Sequence, residues 1–230
     1  DTVGQRVTGL VNAVGRRIAA HDLQEWVELL SAGLDETDRL AVTTHHPRWI
    51  VEALERVLPE NEVAQALEVD NLAPRPTLVV RPGLAEVEEL APAVPTVYSP
   101  FGAVLAGAPG DLAAVREGRA GVQDEGSQLV CLALTRVEAP NGPWLDLCAG
   151  PGGKSALLAG LARQRGEHLV ANEVAAHRAE LVEQALAVYP PGTASIICSD
   201  GRDPEPVRQH GPFARIMVDA PCSGLGALRR

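Results

Sequence analysis

From residue 141 onward, short apolar runs alternate with longer stretches of helical periodicity, and this alternation most constrains how the chain can fold. The apolar runs occupy residues 144–147, 168–173, 194–198 and 214–218, and helical spacing covers residues 154–163 and 174–189. Each return to a parallel strand needs a crossover, so strands that alternate with helices form a parallel sheet with helices on both faces. The sequence therefore predicts an α/β fold with a doubly wound parallel sheet.

The residues before 141 predict two further regions. Apolar residues spaced three and four apart predict helix over residues 1–30, with a separate amphipathic helix at 23–30, and over residues 47–58. Prolines are frequent from 74 to 109, where short apolar pieces at 77–80, 94–98 and 104–105 predict a small α/β unit. We further expect a short helix at 111–115, a boundary at 118–121 and a helix from Asp124 or Ser127 to Arg136.

Composition and charge narrow the function classes. With 46% apolar and 22% charged residues the chain can bury a core, and no apolar run approaches the ~18 residues of a membrane span. No signal pattern opens the sequence, so we expect a cytoplasmic protein with no membrane partner. The net charge of −10, most of it in residues 35–95, argues against nucleic-acid binding through an overall basic field. An RNA-binding surface would have to be a local patch.

The cysteines and histidines do not predict a metal site. The cysteines are Cys131, Cys148, Cys198 and Cys222, with no C-x-x-C spacing, and the pair His45-His46 has no third ligand nearby. Cys131 and Cys198 lie in apolar stretches, so we expect both in the core. Cys148 and Cys222 lie in glycine-containing loops, where a core position is not expected.

Acidic or glycine-rich residues follow each predicted strand of the parallel sheet. In such a sheet, ligands bind beyond the carboxyl ends of the strands. The rule selects residues 148–154, Asn172-Glu173, Ser199-Asp200 and residues 219–224. We therefore expect one binding site built from all of these segments.

The loop after the first of these strands reads Cys148, Ala149, Gly150, Pro151, Gly152, Gly153 and Lys154. Its glycines let a ligand approach the backbone, and its amides at a helix start favour a carboxylate or phosphate. Lys154 is the only lysine of the chain. Glu173 lies 20 residues after Gly153, the spacing of an acid that accepts from ribose hydroxyls, and Asp200 can receive a base amino group. The ligand is expected to contain a nucleoside.

Three nucleoside ligands compete for this site. A nucleoside triphosphate fits Gly153-Lys154-Ser155, but a phosphate-binding loop needs glycine where Cys148 stands, and Glu173 would have no role. A nicotinamide dinucleotide is disfavoured because the loop is not G-x-G-x-x-G. S-adenosylmethionine would place its carboxylate on the loop amides and its ribose at Glu173.

The segment Asp219-Ala220-Pro221-Cys222-Ser223-Gly224 favours S-adenosylmethionine. A thiol that follows proline at the ligand edge suits covalent chemistry. Carbon-5 of a pyrimidine is a poor nucleophile, and adding a thiolate to carbon-6 enables carbon-5 to take a methyl group. By this reasoning Cys222 is the candidate nucleophile, and Asp219 is the acid near N3 or the amino group.

Residues 146–154 and 219–224, with further pieces at 9–14, 46–49 and 122–128, carry a resemblance to a known family. The chain resembles the bacterial ribosomal-RNA cytosine-C5 methyltransferases of the RsmB/Fmu/Sun type and the wider NSun group. The resemblance implies a Rossmann-like S-adenosylmethionine-dependent methyltransferase core at 119–230, a small RNA-contacting α/β region at 33–118 and the end of a NusB-like helical domain at 1–32. It implies that residues 148–154, Glu173, Asp200 and Asp219 bind the cofactor, and that small-subunit ribosomal RNA is the substrate.

The resemblance also revises the role of Cys222. In that family the nucleophile is a second cysteine in a downstream Thr-Cys motif, and no such motif follows Cys222 here. The cysteine that matches Cys222 assists release of the methylated RNA. We therefore expect a fragment truncated at its C-terminus that lacks the nucleophile, and the alternative is a non-catalytic RNA-binding module.

Overall fold

The computed structural model describes residues 7–72 and 75–222 of the chain. Residues 1–73 and 74–230 form two separate compact units. The helix predicted for residues 1–6, and the motif residues Ser223 and Gly224, lie outside the described residues. Within the described part of the chain, no helix is both long and apolar enough to cross a membrane.

The first unit is built from helices. They are α1 (Thr8–Ile18), α2 (Leu23–Ser31), α3 (Glu36–Thr43), α4 (Arg48–Glu55) and α5 (Glu60–Asp70). A capping box begins α2: the Asp22 carboxylate accepts from the Glu25 amide at 2.9 Å, and the Glu25 carboxylate accepts from the Asp22 amide at 3.0 Å. The helices predicted at 23–30 and 47–58 are confirmed, whereas α3 and α5 were not predicted.

The second unit contains an antiparallel sheet. Its strands are β1 (Thr77–Val80), β2 (Val94–Pro95), β3 (Gly102–Val104) and β4 (Ala120–Val122), in the order β2-β3-β1-β4. The short helix α6 (Ala113–Arg116) precedes β4. β4 occupies the segment expected as a boundary and pairs with β1, so this sheet extends to Val122. Short strands begin or lie within the segments predicted at 77–80 and 94–98, and β3 overlaps the piece predicted at 104–105. The separate small α/β region and its boundaries at 32 and 118 stay predictions.

The second sheet confirms the predicted parallel architecture. Its strands are β5 (Trp144–Asp146), β6 (Leu169–Asn172), β7 (Ala194–Ile197) and β8 (Arg215–Met217), in the order β7-β6-β5-β8. All pairs are parallel. The order reverses at β5, because β6 and β7 extend to one side and β8 lies on the other. Such a reversal opens a crevice at the carboxyl ends of the strands.

Helices cover both faces of the parallel sheet. They are α7 (Glu125–Arg136), α8 (Gly153–Gln164), α9 (Ala176–Leu186) and α10 (Glu205–Arg208). Trp144 packs with the α8 residue Leu158 on one face, together with residues of α7 and α9. Leu145 and Val170 pack with Val207 of α10 on the other face. Successive strand residues thus alternate between two apolar layers, as expected for a doubly wound sheet.

A polar cluster around the buried Trp144 lies at the amino ends of the strands, opposite the crevice. The indole of Trp144 donates to a carboxylate oxygen of Glu167 at 2.8 Å. The guanidinium groups of Arg165 and Arg215 lie 5.8 and 5.1 Å from the Trp144 ring centroid. Arg215 also pairs with Glu167 at 3.8 Å. These contacts stabilise the amino ends of the strands, and the crevice lies at the opposite, carboxyl ends.

Candidate functional site

A cavity of about 670 Å³ lies at the carboxyl edge of the parallel sheet. Its lining includes Cys148 and Gly150 after β5, Glu173 after β6, Asp200 after β7, and Asp219 and Cys222 after β8. The prediction that these segments meet at one sheet edge is confirmed. The volume falls within the range of about 300–1,000 Å³ that is usual for small-molecule sites.

A smaller cavity of about 250 Å³ adjoins the first and shares Cys148, Gly150 and Asp219 with it. The other lining residues are Ala149, Pro151, Gly153 and Lys154 from the loop, and Val122, Gln123, Asp124 and Ser127 from the chain leading into α7. Sequence reasoning gave the α7 residues no role in the site beyond the family resemblance. These four residues differ in chemical type and show no periodic pattern that points to a ligand.

Gly152 lines neither of these cavities and serves the packing of the loop instead. Its φ is +107°, a conformation that favours glycine. A Cβ at this position would lie 2.8 Å from the Ala185 Cβ and 3.0 Å from the Val182 Cα. Gly152 therefore lets the loop lie directly against α9.

Gly150 is held between a carboxylate and a guanidinium. Its amide donates to Glu173 Oε2 at 2.9 Å, and its carbonyl accepts from Arg178. A Cβ at position 150 would lie 2.4 Å from Glu173 Oε2 and 2.8 Å from Arg178 Nε. Any side chain at this position would force the two charged groups off the loop. Sequence reasoning missed Arg178, because it comes from the first turn of α9 rather than from a strand end.

Glu173 is only 3% exposed but keeps acceptor capacity. Its Oε1 accepts from the Ala175 amide at 3.0 Å, and its Oε2 accepts from Gly150. Each carboxylate oxygen has two lone pairs, so each can accept a further hydrogen bond from a ligand in the cavity. The position and orientation fit the predicted role toward ribose hydroxyls.

Asn172 fixes the carboxyl ends of the strands around Glu173. Its Nδ2 donates to the carbonyls of Leu147 and Ser199, each at 3.1 Å, and its Oδ1 accepts from the Ser199 hydroxyl at 2.6 Å. The side chain is buried, so these bonds satisfy an amide that would otherwise be costly to bury. The loops after β5, β6 and β7 are thereby held in one arrangement.

Asp200 and Asp219 are each paired with a cation at the site. Asp200 binds the Arg202 guanidinium at 2.6 Å, which lowers the pKa of the Asp200 carboxyl to about 2. Asp219 binds the Lys154 ammonium at 2.8 Å. Lys154 thus reaches from the start of α8 to the strand end of β8.

Asp146 is buried beneath the loop at the end of β5. Its Oδ2 accepts from the Ser155 hydroxyl at 2.7 Å, and no partner for its Oδ1 exists among the described residues. Burial raises the pKa of the Asp146 carboxyl, and the nearby Asp219 carboxylate adds to this effect. Burial therefore disfavours the charged form of Asp146.

The cysteines differ in exposure and acidity. Cys131 is fully buried as predicted, and burial raises the pKa of its thiol to about 12. The prediction that Cys198 lies in the core is wrong: it follows β7, an edge strand of the parallel sheet that is only partly buried, and is exposed. Burial and nearby carboxylates raise the pKa of the Cys148 thiol. Cys222 is exposed at the cavity.

Within residues 7–72 and 75–222, no group of three or more His, Cys, Asp or Glu side chains is placed to hold a metal ion.

The chain is similar in sequence to known methyltransferases. Residues 131–230 match a family model described as 16S rRNA methyltransferase RsmB/F. A Mycobacterium tuberculosis protein named as a methyltransferase is 47% identical over 234 residues, covering 96% of this chain and 50% of that protein. Over residues 131–230 the chain is thus similar to the RsmB/F methyltransferase family. The Pseudomonas putida ribosomal RNA small subunit methyltransferase B is 36% identical over 244 residues, covering 96% of the chain and 50% of that protein.

Solved structures share the fold. A methyltransferase homologue from Pyrococcus horikoshii aligns with a TM-score of 0.69 at 18% identity, over 86% of this chain and 67% of that one. NSun6 from Pyrococcus horikoshii aligns with a TM-score of 0.64 at 14% identity, over 80% of this chain and 72% of that one. The chain has the Rossmann-like methyltransferase fold, and it spans about half the length of the curated relatives it matches.

The raised pKa of Asp146 predicts that Asp146→Asn stabilises the fold at pH 7. The pKa of this buried acid is higher in the folded state than its unfolded value of 3.8, so the acid stabilises the fold fully below pH 3.8. This contribution to the free energy of unfolding is lost as the pH rises through the folded pKa. Removing the charge should raise the melting temperature at pH 7 by about 2–4 °C for each kcal/mol gained. The gain should shrink toward pH 4. The exposed Asp111→Asn is the control, and an equal gain at both pH values would contradict the explanation.

We predict that Cys222 reacts fastest with iodoacetamide, followed by Cys198, because both are exposed while Cys148 and Cys131 carry raised pKa values. Mass-spectrometric mapping of the labelled thiols over time measures the order. Labelling of Cys131 before Cys222 would refute it.

Proposed function

We propose that this chain provides the methyl-donor site of an enzyme that transfers a methyl group from S-adenosylmethionine to carbon-5 of a cytosine in small-subunit ribosomal RNA. The observation that carries the proposal is the cavity that unites Glu173, Asp219 and Cys222 at the carboxyl edge of the parallel sheet. Curated relatives named as small-subunit ribosomal RNA methyltransferases support the substrate. Work on ribosomal RNA would place the protein in the cytoplasm.

The residues of the cavity fit the nucleoside part of the donor. Glu173 faces the cavity with unused lone pairs and accepts from the ribose hydroxyls. Asp200 lies after the neighbouring strand, and each of its oxygens accepts two hydrogen bonds from Arg202. In our proposal the amino group of adenine replaces part of these contacts. Gly150 has no side chain to obstruct the ligand beside Glu173. The donor supplies an electrophilic methyl group when bound.

The same charges disfavour a nucleoside triphosphate. Asp219 engages the Lys154 ammonium at 2.8 Å, so the only lysine of the chain is already neutralised by a carboxylate. Glu173 and Asp200 place further negative charge at the cavity. A polyphosphate carries several negative charges and would be repelled, whereas the sulfonium of S-adenosylmethionine is a cation.

We expect the chain to bind S-adenosylmethionine more tightly than ATP-Mg. Glu173→Ala should weaken binding of S-adenosylmethionine by roughly 1–3 kcal/mol, because the ribose hydroxyls lose their acceptor. The exposed Glu183→Ala on α9 removes the same side chain away from the cavity and should leave affinity unchanged. Isothermal titration calorimetry of the unsubstituted chain and of both variants measures these affinities. If the unsubstituted chain binds ATP-Mg more tightly than S-adenosylmethionine, the assignment of the donor is wrong.

In our proposal two different cysteines carry out the attack on carbon-6 and the release of the methylated RNA. Cytosine methylation needs a thiolate at carbon-6, and the family resemblance assigns that step to a Thr-Cys motif that does not follow Cys222 in these residues. Cys222 then assists release of the methylated RNA. Asp219 lies three residues before Cys222 and is held by Lys154. In our proposal its carboxyl group interacts with N3 or the amino group of the cytosine.

We therefore expect the 230-residue chain to bind the donor without completing methyl transfer. RNA affinity should be weak, because the net charge is −10. The affinity that remains should fall steeply with salt, because it depends on local contacts between cationic side chains and phosphates. A single-turnover assay with radiolabelled S-adenosylmethionine and unmethylated small-subunit ribosomal RNA tests this. Transfer that Cys222→Ser abolishes would overturn the assignment and make Cys222 the nucleophile. RNA binding without donor binding would instead favour a non-catalytic RNA-binding module.

A further inference from the structure

The hairpin loop that joins β2 to β3, residues 96–101, exposes two large apolar side chains. Val97 is 83% exposed and Tyr98 is 72% exposed. Among the described residues of the second unit, Tyr98 is the only exposed Trp, Tyr or Phe. Tyrosine is common at interfaces, because its ring is apolar while its hydroxyl group tolerates water. The loop therefore presents a ring that a partner can contact.

Hydrogen bonds hold the backbone of this loop in one arrangement. Oε1 of Glu125, the first residue of α7, accepts from the amides of Tyr98 and Ser99 at 2.7 and 2.9 Å. The Ser99 hydroxyl donates to Gln128 Oε1 at 2.5 Å, and the Thr96 hydroxyl donates to the Ser99 carbonyl at 2.9 Å. Because the backbone of Tyr98 is fixed, contact with its ring costs little backbone entropy.

The loop lies next to the candidate site. Glu125, which holds the Tyr98 amide, directly follows Asp124, and Asp124 lines the smaller cavity. Tyr98 itself lines neither the smaller nor the larger cavity. A polymer with one unit at the site can therefore place a neighbouring unit against Tyr98.

The loop belongs to a long stretch without charge. Residues 91–110 contain no Asp, Glu, Lys, Arg or His, although the whole chain has a net charge of −10. Carboxylates repel the phosphates of RNA, so an RNA strand meets less repulsion over an uncharged surface than over an acidic one. Attraction on such a surface comes from bases that stack on aromatic rings, which is how proteins commonly hold unpaired RNA bases.

We propose that Tyr98 stacks on an RNA base that flanks the target cytosine and so helps to position the strand at the site. The inference rests on the proposed function, in which RNA is the substrate. The contacted base flanks the target because Tyr98 adjoins the cavities without lining them. Stacking accepts any base, so Tyr98 contributes affinity and register rather than sequence preference.

Fluorescence anisotropy tests the proposal with a labelled single-stranded RNA of about ten nucleotides, titrated with the full chain at low salt. Tyr98→Ala should weaken binding about tenfold, whereas Tyr98→Phe keeps the ring and should retain the affinity. The slope of affinity against salt should be the same for Tyr98→Ala and the unsubstituted chain, because no cation is removed. Val137→Ala shortens another exposed apolar side chain of the second unit and is the matched control.

Photocrosslinking locates the contact in the unsubstituted chain. A 5-iodouridine in the same RNA forms a crosslink to an aromatic ring that stacks on it, and peptide mass spectrometry should place this crosslink at Tyr98. The chain has two tyrosines, and Tyr189 is only 6% exposed, so Tyr189 should carry no crosslink. This measurement tests the inference even if Tyr98→Ala does not fold, which thermal melting checks.

The outcomes separate this inference from the proposed function. If the unsubstituted chain binds no RNA at low salt, the RNA substrate of the proposed function is wrong and the inference fails with it. If RNA binds but Tyr98→Ala leaves the affinity unchanged, the proposed function stands and the inference is overturned. An equal loss in Tyr98→Phe, or a crosslink only at other residues, also overturns the inference alone.

Discussion

The contact between the Glu173 carboxylate and the Gly150 amide joins the carboxyl ends of β5 and β6, and the larger cavity depends on it. Gly150 is not in the left-handed region, so conformational freedom does not explain the glycine. The close approach of Glu173 explains the glycine, because a Cβ at position 150 would lie 2.4 Å from Glu173 Oε2. Arg178 completes the arrangement by donating to the carbonyl of the same residue. The backbone of Gly150 is thereby clamped between β6 and α9.

Two buried carboxylates at this edge of the sheet reduce the stability of the fold. Glu173 and Asp146 are almost fully buried, and Asp146 keeps an oxygen with no partner among the described residues. A core built only for stability would replace such groups with apolar ones. Their retention around a cavity fits a site in which ligand groups complete the hydrogen bonds, since functional sites commonly sacrifice stability.

The sequence predicted the parts of the site that arise from chain periodicity. Apolar runs located every strand of the parallel sheet, and the position of Glu173 after β6 followed from them. Arg178 and Gln123 were missed because α9 and the approach to α7 bring them to the sheet edge only through tertiary packing. Cys198 was assigned to the core because it ends an apolar run. The strand itself ends at Ile197, so periodicity could not decide which way the next side chain points.

On the proposed function, an RNA substrate would favour positive charge at the cavity, whereas the donor, a cation, favours negative charge there. Phosphates are repelled by the carboxylates of Glu173, Asp200 and Asp219, while Arg178 and Arg202 offset only part of that charge at the cavity. On the proposed function, the donor contributes a cationic sulfonium to this same edge. A bound donor therefore reduces the repulsion that an approaching RNA meets. Because coupling between two binding sites is reciprocal, bound RNA must strengthen donor binding by the same factor, so the acidity of the cavity favours assembly of both substrates.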